Sequence, residues 1–168
     1  MAKRISIVGA GWLGLPLGQR LAEAGHHVGA TTTTPEKSPA ITMAGITPYY
    51  LRLTPQELQG QALDEFFSAE VFIVCIPPRL RRGKAPEEHV HEMALLAHRL
   101  CQRQPQHLIY TSSTGAYPNL NREVTEADAP SEPEPDSGSI LPVVEHNFLQ
   151  CGIPTTILRL GGLFGPGR

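Results

Sequence analysis

A glycine-rich turn near the start of the chain constrains the fold more than any other feature of the sequence. The apolar run Ile5 to Val8 leads into Gly9-x-Gly11-x-x-Gly14, and leucines spaced for one helix face follow. Between a strand and a helix, this pattern is typical of a dinucleotide-binding fold, and the alternative is a glycine turn without a ligand. The helix N-terminus would receive the diphosphate. Five residues of the turn are therefore predicted to contact a cofactor: Gly9, Gly11, Trp12, Leu13 and Gly14.

Strands and helices alternate along the chain, which predicts an α/β fold with a parallel sheet. After Ile5 to Val8, the predicted strands are His27 to Thr31, Pro48 to Leu53, Val71 to Ile76, His107 to Thr111 and Thr155 to Leu160. The predicted helices are Trp12 to Ala24, Gln56 to Phe67, Glu87 to Arg103 and Ile140 to Gln150. The expected architecture is a Rossmann-type three-layer fold, a six-stranded parallel sheet with helices on both faces. It forms one dinucleotide-binding domain over residues 1–168.

Right-handed crossovers place the carboxyl ends of all parallel strands along one crevice, where ligands bind in such sheets. Beyond the glycine turn, cofactor contacts are therefore predicted at the ends of the second, fourth and fifth strands. These contacts are Thr31, Thr32, Thr33, Cys75, Ile76, Pro77, Thr111 and Ser112.

The end of the second strand is where dinucleotide folds distinguish NAD from NADP. An acidic residue there would hold the ribose 2′-hydroxyl, but the sequence has Thr31-Thr32-Thr33-Thr34, with Lys37 close behind. Hydroxyls beside a lysine suit a 2′-phosphate, which favours NADP over NAD. The alternative is that these threonines form a polar strand end and a helix cap.

Composition and charge exclude several classes of protein. The formal charge of −2 gives no indication of nucleic-acid or anionic-membrane binding. The basic cluster Arg79, Arg81, Arg82 and Lys84 is interpreted as a solvated loop. Neighbouring histidines such as His89 and His91 point to different helix faces, so no metal site is predicted.

The cellular location is predicted from the cysteines and from the pattern of apolar residues. The sequence has no signal-peptide pattern and no apolar run of membrane-spanning length, which favours a soluble protein. Cys75, Cys101 and Cys151 are few and unevenly spaced, and they are interpreted as reduced, structural thiols. The expected location is cytoplasmic.

Two motifs in the second half of the chain discriminate between dinucleotide-binding families. The first third, with Pro16 and Gly25-His26-x-Val28, also resembles the β-hydroxyacid dehydrogenases. Tyr110-Thr111-Ser112-Ser113-Thr114-Gly115-Ala116-Tyr117, however, is similar to the fifth-strand motif of the extended short-chain dehydrogenases/reductases, the NAD-dependent epimerase/dehydratase family. The segment from Ile157 to Gly167 is similar to the sixth-strand motif of that family. Together with the glycine turn, these motifs cover nearly the whole chain.

The resemblance implies an NAD(P)-dependent reductase, epimerase or dehydratase, but the acid/base pair of the family is absent. Ser113 matches the family's catalytic Ser or Thr, which would hydrogen-bond a substrate oxygen; the alternative is that it satisfies backbone groups. The family's Tyr-x-x-x-Lys is missing: taking Glu145 as the Glu that follows it puts Leu141 at the Lys and Ser137 at the Tyr. Tyr117 is a candidate substitute acid, although the family uses that position mainly for packing.

The chain is also shorter than the family pattern, which continues by roughly a hundred residues that form the substrate lobe. The sequence therefore predicts either a fragment or a protein without this lobe, and an uncovered sheet edge favours association, for example as a homo-oligomer. The acidic, proline-rich stretch Asn119 to Ser139 is predicted to be a mobile surface loop. Two functions remain open. One is an enzyme acting on a hydroxyl or carbonyl substrate such as a nucleotide sugar, and the other is a non-catalytic NAD(P)-binding sensor or scaffold.

Overall fold

The computed structural model describes residues 1–78, 80, 83–129 and 139–167. Three members of the basic cluster, Arg79, Arg81 and Arg82, lie outside the described residues. So do Ser137, the residue at the family's Tyr position, and the part of the predicted acidic loop at 130–138.

The strands are β1 (Arg4–Val8), β2 (His27–Thr32), β3 (Thr47–Leu53), β4 (Leu58–Gly60), β5 (Val71–Val74), β6 (His107–Ser113) and β7 (Thr155–Leu160). The helices are α1 (Gly14–Glu23), α2 (Ser38–Met43), α3 (Leu63–Phe66), α4 (Pro86–Arg103) and α5 (Leu141–Leu149). The sheet order is β4-β3-β2-β1-β5-β6-β7, and every pair is parallel except β3 with β4. The predicted α/β class and the six parallel strands are confirmed, and β4 adds a short antiparallel edge strand.

Apolar residues cover both faces of the sheet, as a three-layer fold requires. On one face, Ile7, Val28 and Ile46 pack with Ile41 of α2 and the leucines of α1. On the other, β-strand residues pack with α4 and α5 through Phe72, Met93, Leu100, Leu108 and Phe148. The two layers hold the strands in register, so that their carboxyl ends form one edge.

The prediction of a helix over Gln56 to Phe67 is wrong for most of that range. Leu58–Gly60 pairs with β3 instead. Glycine at position 60 makes this close approach possible, because any side chain there would overlap the carbonyl oxygen of Tyr50. Ala62 then adopts a left-handed conformation with φ of 52°, which interrupts any continuous helix. Helical structure is confined to Leu63–Phe66.

The prediction that all three cysteines are reduced is wrong for two of them. Cys101 of α4 and Cys151, which follows α5, form a disulfide with a Cα–Cα distance of 4.9 Å, and Cys75 is free. The reason is tertiary: α4 and α5 pack side by side, so residues separated by 50 positions become neighbours. Spacing along the sequence gives no sign of that contact.

Candidate functional site

The glycine turn is built by close backbone contacts at the carboxyl end of β1. Gly9 has φ of 106°, a conformation that favours glycine, and its N–H donates a hydrogen bond to Thr31 Oγ1 at 2.8 Å. A Cβ at Gly14 would overlap the carbonyl oxygen of Gly9, whereas no atom of the described residues is found within 4 Å of the position of a Cβ at Gly11. Gly14 therefore allows α1 to approach the strand, and Gly11 leaves open space above the turn.

The start of α1 offers the Gly14 N–H to an anion. Leu13 precedes the helix, and among the described residues no side chain caps it and no hydrogen bond of the Gly14 N–H is found. The N–H of Leu15 already donates to the carbonyl oxygen of Gly11 at 3.0 Å, and Pro16 has no N–H. The first N–H groups of any helix lack intrahelical partners and carry the positive end of its dipole. This end of α1 and the open space at Gly11 together form a cradle that suits a diphosphate.

A cavity of about 320 Å³ lies beside the glycine turn and extends toward β2 and β3. Seven of the predicted cofactor residues line it: Gly9, Gly11, Thr31, Thr32, Thr33, Ile76 and Pro77. Trp12, Leu13, Gly14, Cys75, Thr111 and Ser112 do not line it. Thr34 and Lys37, which the sequence suggests for a 2′-phosphate, also line it. The lining further includes residues that no sequence motif indicates: Ala10, Leu51, Leu53, Lys84 and Glu92.

The threonines at the end of β2 divide into two groups. Thr31 accepts the hydrogen bond from Gly9, and Thr32 Oγ1 accepts one from the Thr34 N–H at 3.0 Å, so both shape the backbone. Thr33 is exposed, and no hydrogen bond of its hydroxyl is found among the described residues. Lys37 is exposed and lines the same cavity. The strand end thus combines a structural role with free polar groups that suit a phosphate.

Two predicted residues near β5 hold the backbone together. The N–H of Cys75 donates to the carbonyl oxygen of Val8 at 2.9 Å, and burial raises the pKa of the Cys75 thiol to about 11. Thr111 Oγ1 donates to the carbonyl oxygen of Val74 at 2.9 Å. Burial therefore disfavours the thiolate, which is the form in which a cysteine acts as a nucleophile.

A buried ion pair lies beneath the carboxyl ends of β6 and β7. Arg159 donates to both carboxylate oxygens of Glu145, with its Nη2 2.6 Å from Oε2. Ser112 Oγ also donates to this carboxylate, and the two charged side chains are 17% and 4% exposed. The Arg159 guanidinium lies over the Tyr117 ring, 5.1 Å from its centroid. The network fixes the segment that carries the candidate catalytic residues.

Ser112 and Ser113 differ in their surroundings. Ser112 is buried and committed to Glu145, whereas Ser113 is exposed and its Oγ accepts a hydrogen bond from the Gly115 N–H at 3.2 Å. Accepting that bond leaves the Ser113 hydroxyl hydrogen able to reach a ligand. Tyr117 is half-buried under Arg159, and Leu141, at the family's Lys position, begins α5 and cannot ionise.

Trp12 connects the glycine turn to the end of the chain. Its Nε1 donates to the carbonyl oxygen of Pro166 at 2.8 Å, and its ring lies against Gly165. The segment after β7 therefore folds back toward the turn. Trp12 is the single tryptophan of the sequence, so its fluorescence reports on this place alone.

Metal sites and membrane-spanning helices are two further features that bear on function. No three His, Cys, Asp or Glu side chains converge in a metal-binding arrangement in the part of the chain that the structure describes. None of the described helices combines the length and the apolar character needed to cross a membrane.

Comparison with known proteins identifies the family. The model of the NAD dependent epimerase/dehydratase family matches residues 5–168. The chain belongs to this family. The resemblance seen in the motifs of the glycine turn, β6 and β7 is thereby confirmed.

Several relatives of this epimerase/dehydratase domain are known. Protein YeeZ of Escherichia coli K12 is 35% identical over 170 residues, which cover 99% of this chain and 61% of YeeZ. Among solved structures, Bordetella bronchiseptica WbmG in complex with NAD and UDP has a TM-score of 0.73 at 18% identity, over 99% of this chain and 55% of WbmG. WbmH of the same organism, in complex with NAD+, has a TM-score of 0.71 at 15% identity, over 100% of this chain and 58% of WbmH. The chain thus spans little more than half of each of these proteins.

Proposed function

We propose that this chain binds NAD or NADP in the crevice at the carboxyl ends of its parallel strands. The observation that carries the proposal is the glycine turn, where Gly14 lets α1 approach Gly9 and open space remains above Gly11. The first turn of α1 would hold the diphosphate, and the end of β2 would hold the adenosine ribose. The NAD complexes of WbmG and WbmH support the same use of this fold.

Gly11→Asp is expected to abolish this binding. NAD or NADP at a hundred times its dissociation constant should stabilise the wild-type chain by about 3 kcal/mol, and the variant should show no such shift, because a carboxylate above the turn repels the diphosphate. A thermal-shift titration with NAD, NADP and their reduced forms measures this. Gln102→Asp, which adds the same charge on the exposed surface of the last turn of α4, is the matched control. A wild-type chain that shifts with none of the four ligands would refute the proposal.

Within this proposal, NADP is the preferred cofactor. The end of β2 has no carboxylate to hold a ribose 2′-hydroxyl, and it presents the exposed side chains of Thr33 and Lys37 to the cavity. A lysine ammonium and neutral hydroxyls are suited to a 2′-phosphate.

Lys37→Met is therefore expected to weaken NADP binding by roughly tenfold and to leave NAD binding unchanged, because only NADP carries the phosphate. Isothermal titration calorimetry of both cofactors measures the two constants. Lys3→Met, at a lysine paired with Glu70 near the start of β1, is the control. Equal losses for NAD and NADP would show that Lys37 does not bind the 2′-phosphate.

On the substrate side, we propose chemistry at a hydroxyl or carbonyl group, for example of a nucleotide sugar. A bound nicotinamide supplies or accepts a hydride. Ser113, which is exposed at the end of β6, would donate a hydrogen bond to the substrate oxygen, and Tyr117 is the weaker candidate for a proton donor. The complex of WbmG with UDP supports a nucleotide-containing substrate class.

One observation favours a second candidate function, a non-catalytic sensor or scaffold that binds NAD(P). Leu141 stands where the family has its lysine, so the usual acid/base pair is not formed. Oxidation of NADPH on addition of carbonyl-bearing sugar nucleotides, or reduction of NADP+ on addition of hydroxyl-bearing ones, separates the two candidates. Cofactor binding without any such turnover favours the sensor or scaffold.

A further inference from the structure

The dinucleotide crevice contains an ion pair that the proposed function does not use. Glu92, in α4, is 6% exposed, and its Oε2 forms an ion pair with Nζ of Lys84 in the loop before the helix. Both residues line the cavity beside the glycine turn, as do Leu51 and Leu53 of β3. Burial of a carboxylate costs free energy even when the group is paired, unless its other hydrogen-bonding capacity is also satisfied. A carboxylate that lines a ligand cavity, as Glu92 does, can obtain the remaining hydrogen bonds from a ligand.

The location of the pair indicates which part of a dinucleotide it would meet. The glycine turn would take the diphosphate and the end of β2 the adenosine ribose, and β3 is the next strand outward from β2. The base must therefore lie toward Leu51 and Leu53, whose apolar side chains suit the faces of a planar ring. The Lys84–Glu92 pair supplies charged groups to the cavity that Leu51 and Leu53 also line.

We propose that Lys84 and Glu92 read the edge of the adenine base, an inference that rests on the proposed function. Nζ of Lys84 donates to Oε2 of Glu92, and among the described residues no hydrogen bond to Oε1 of Glu92 is found. An adenine edge presents a 6-amino donor beside the N1 acceptor. Glu92 accepts from the amino group, and Lys84 donates to N1, so the base completes the hydrogen bonding of both side chains.

A 2′-phosphate is the other ligand group that a lysine in this crevice would attract. The buried carboxylate of Glu92 neutralises Lys84 and would repel a phosphate dianion at close range. Lys37 is exposed, lines the same cavity and forms no ion pair among the described residues, so it is the better partner for the phosphate. A neutral base edge suits the paired, net-neutral Lys84 and Glu92.

The test compares NAD with nicotinamide hypoxanthine dinucleotide, in which an oxo group replaces the 6-amino group and N1 carries a hydrogen. This change reverses donor and acceptor with almost no change in shape. The wild-type chain should bind the hypoxanthine analogue at least tenfold more weakly than NAD, measured by calorimetry or by Trp12 fluorescence.

Two variants assign the discrimination to the pair. Lys84→Met/Glu92→Leu removes both charges at once, so no buried charge is left alone, and it should bind the two ligands within about threefold of each other. Glu92→Gln should also lower the ratio of the dissociation constants of the analogue and NAD, because an amide can turn its NH2 toward the oxo group of the analogue. Glu88→Gln, on an exposed position of the same helix, should keep the wild-type ratio.

The outcomes separate this inference from the proposed function. Equal binding of NAD and the analogue by the wild-type chain would overturn the inference and leave dinucleotide binding intact. A wild-type ratio that persists in the double variant would also overturn it. Binding of neither ligand would refute the proposed function and this inference together.

Discussion

Gly14→Ala is expected to destabilise the chain by about 3 kcal/mol, more than any other alanine substitution in the glycine turn. The added Cβ would overlap the carbonyl oxygen of Gly9, and it would also lie 3.1 Å from Cγ2 of Ile7. Relief of these two contacts requires a shift of the backbone at Gly9, of Ile7 or of α1 itself. Urea denaturation followed by circular dichroism measures the loss.

Gly11→Ala is the matched control for this prediction. In the part of the chain that the structure describes, no atom is found within 4 Å of the position of its Cβ, so the free energy of unfolding should change by less than about 0.5 kcal/mol. Dinucleotide binding should nevertheless weaken, because the methyl group occupies the open space above the turn. A Gly14→Ala chain as stable as the Gly11→Ala chain would contradict the close contact between α1 and the turn.

The features that sequence alone could predict are those encoded by short, local patterns. The glycine turn, the β-branched runs and the amphipathic helices each lie within a few consecutive residues, and β7 occurs over the predicted range, Thr155–Leu160. Parallel topology then follows from the alternation of strands and helices, because crossovers have one hand. This is why the edge that holds Gly9, Thr31 and Pro77 could be predicted.

The features that sequence alone could not predict depend on contacts between distant segments. The basic cluster predicts that Lys84 is a solvated loop residue, but Lys84 pairs with Glu92 of α4. The one sign of this pair in the sequence is that Glu92 is an acidic residue among the apolar positions of that helix. The Cys101–Cys151 disulfide depends on the packing of α4 against α5. The β4 strand depends on the approach of Gly60 to Tyr50.

Breaking the ion pair between Glu145 and Arg159 is the second change expected to have a large effect on stability. Arg159→Met should lower the free energy of unfolding by about 3–5 kcal/mol, because it leaves the Glu145 carboxylate buried without its cation. The same change removes the guanidinium from the Tyr117 ring and loosens the partner of Ser112. Chemical denaturation at neutral pH measures the loss.

A double variant shows whether the effect arises from a stranded charge or from lost packing. Arg159→Met/Glu145→Leu removes both charges, and it should be more stable than Arg159→Met alone, since no buried carboxylate remains unpaired. If the double variant is no more stable than the single one, packing of the Arg159 side chain accounts for the loss. Recovery of stability would instead show that the unpaired Glu145 carboxylate accounts for the loss, since that carboxylate also accepts the hydrogen bond of Ser112.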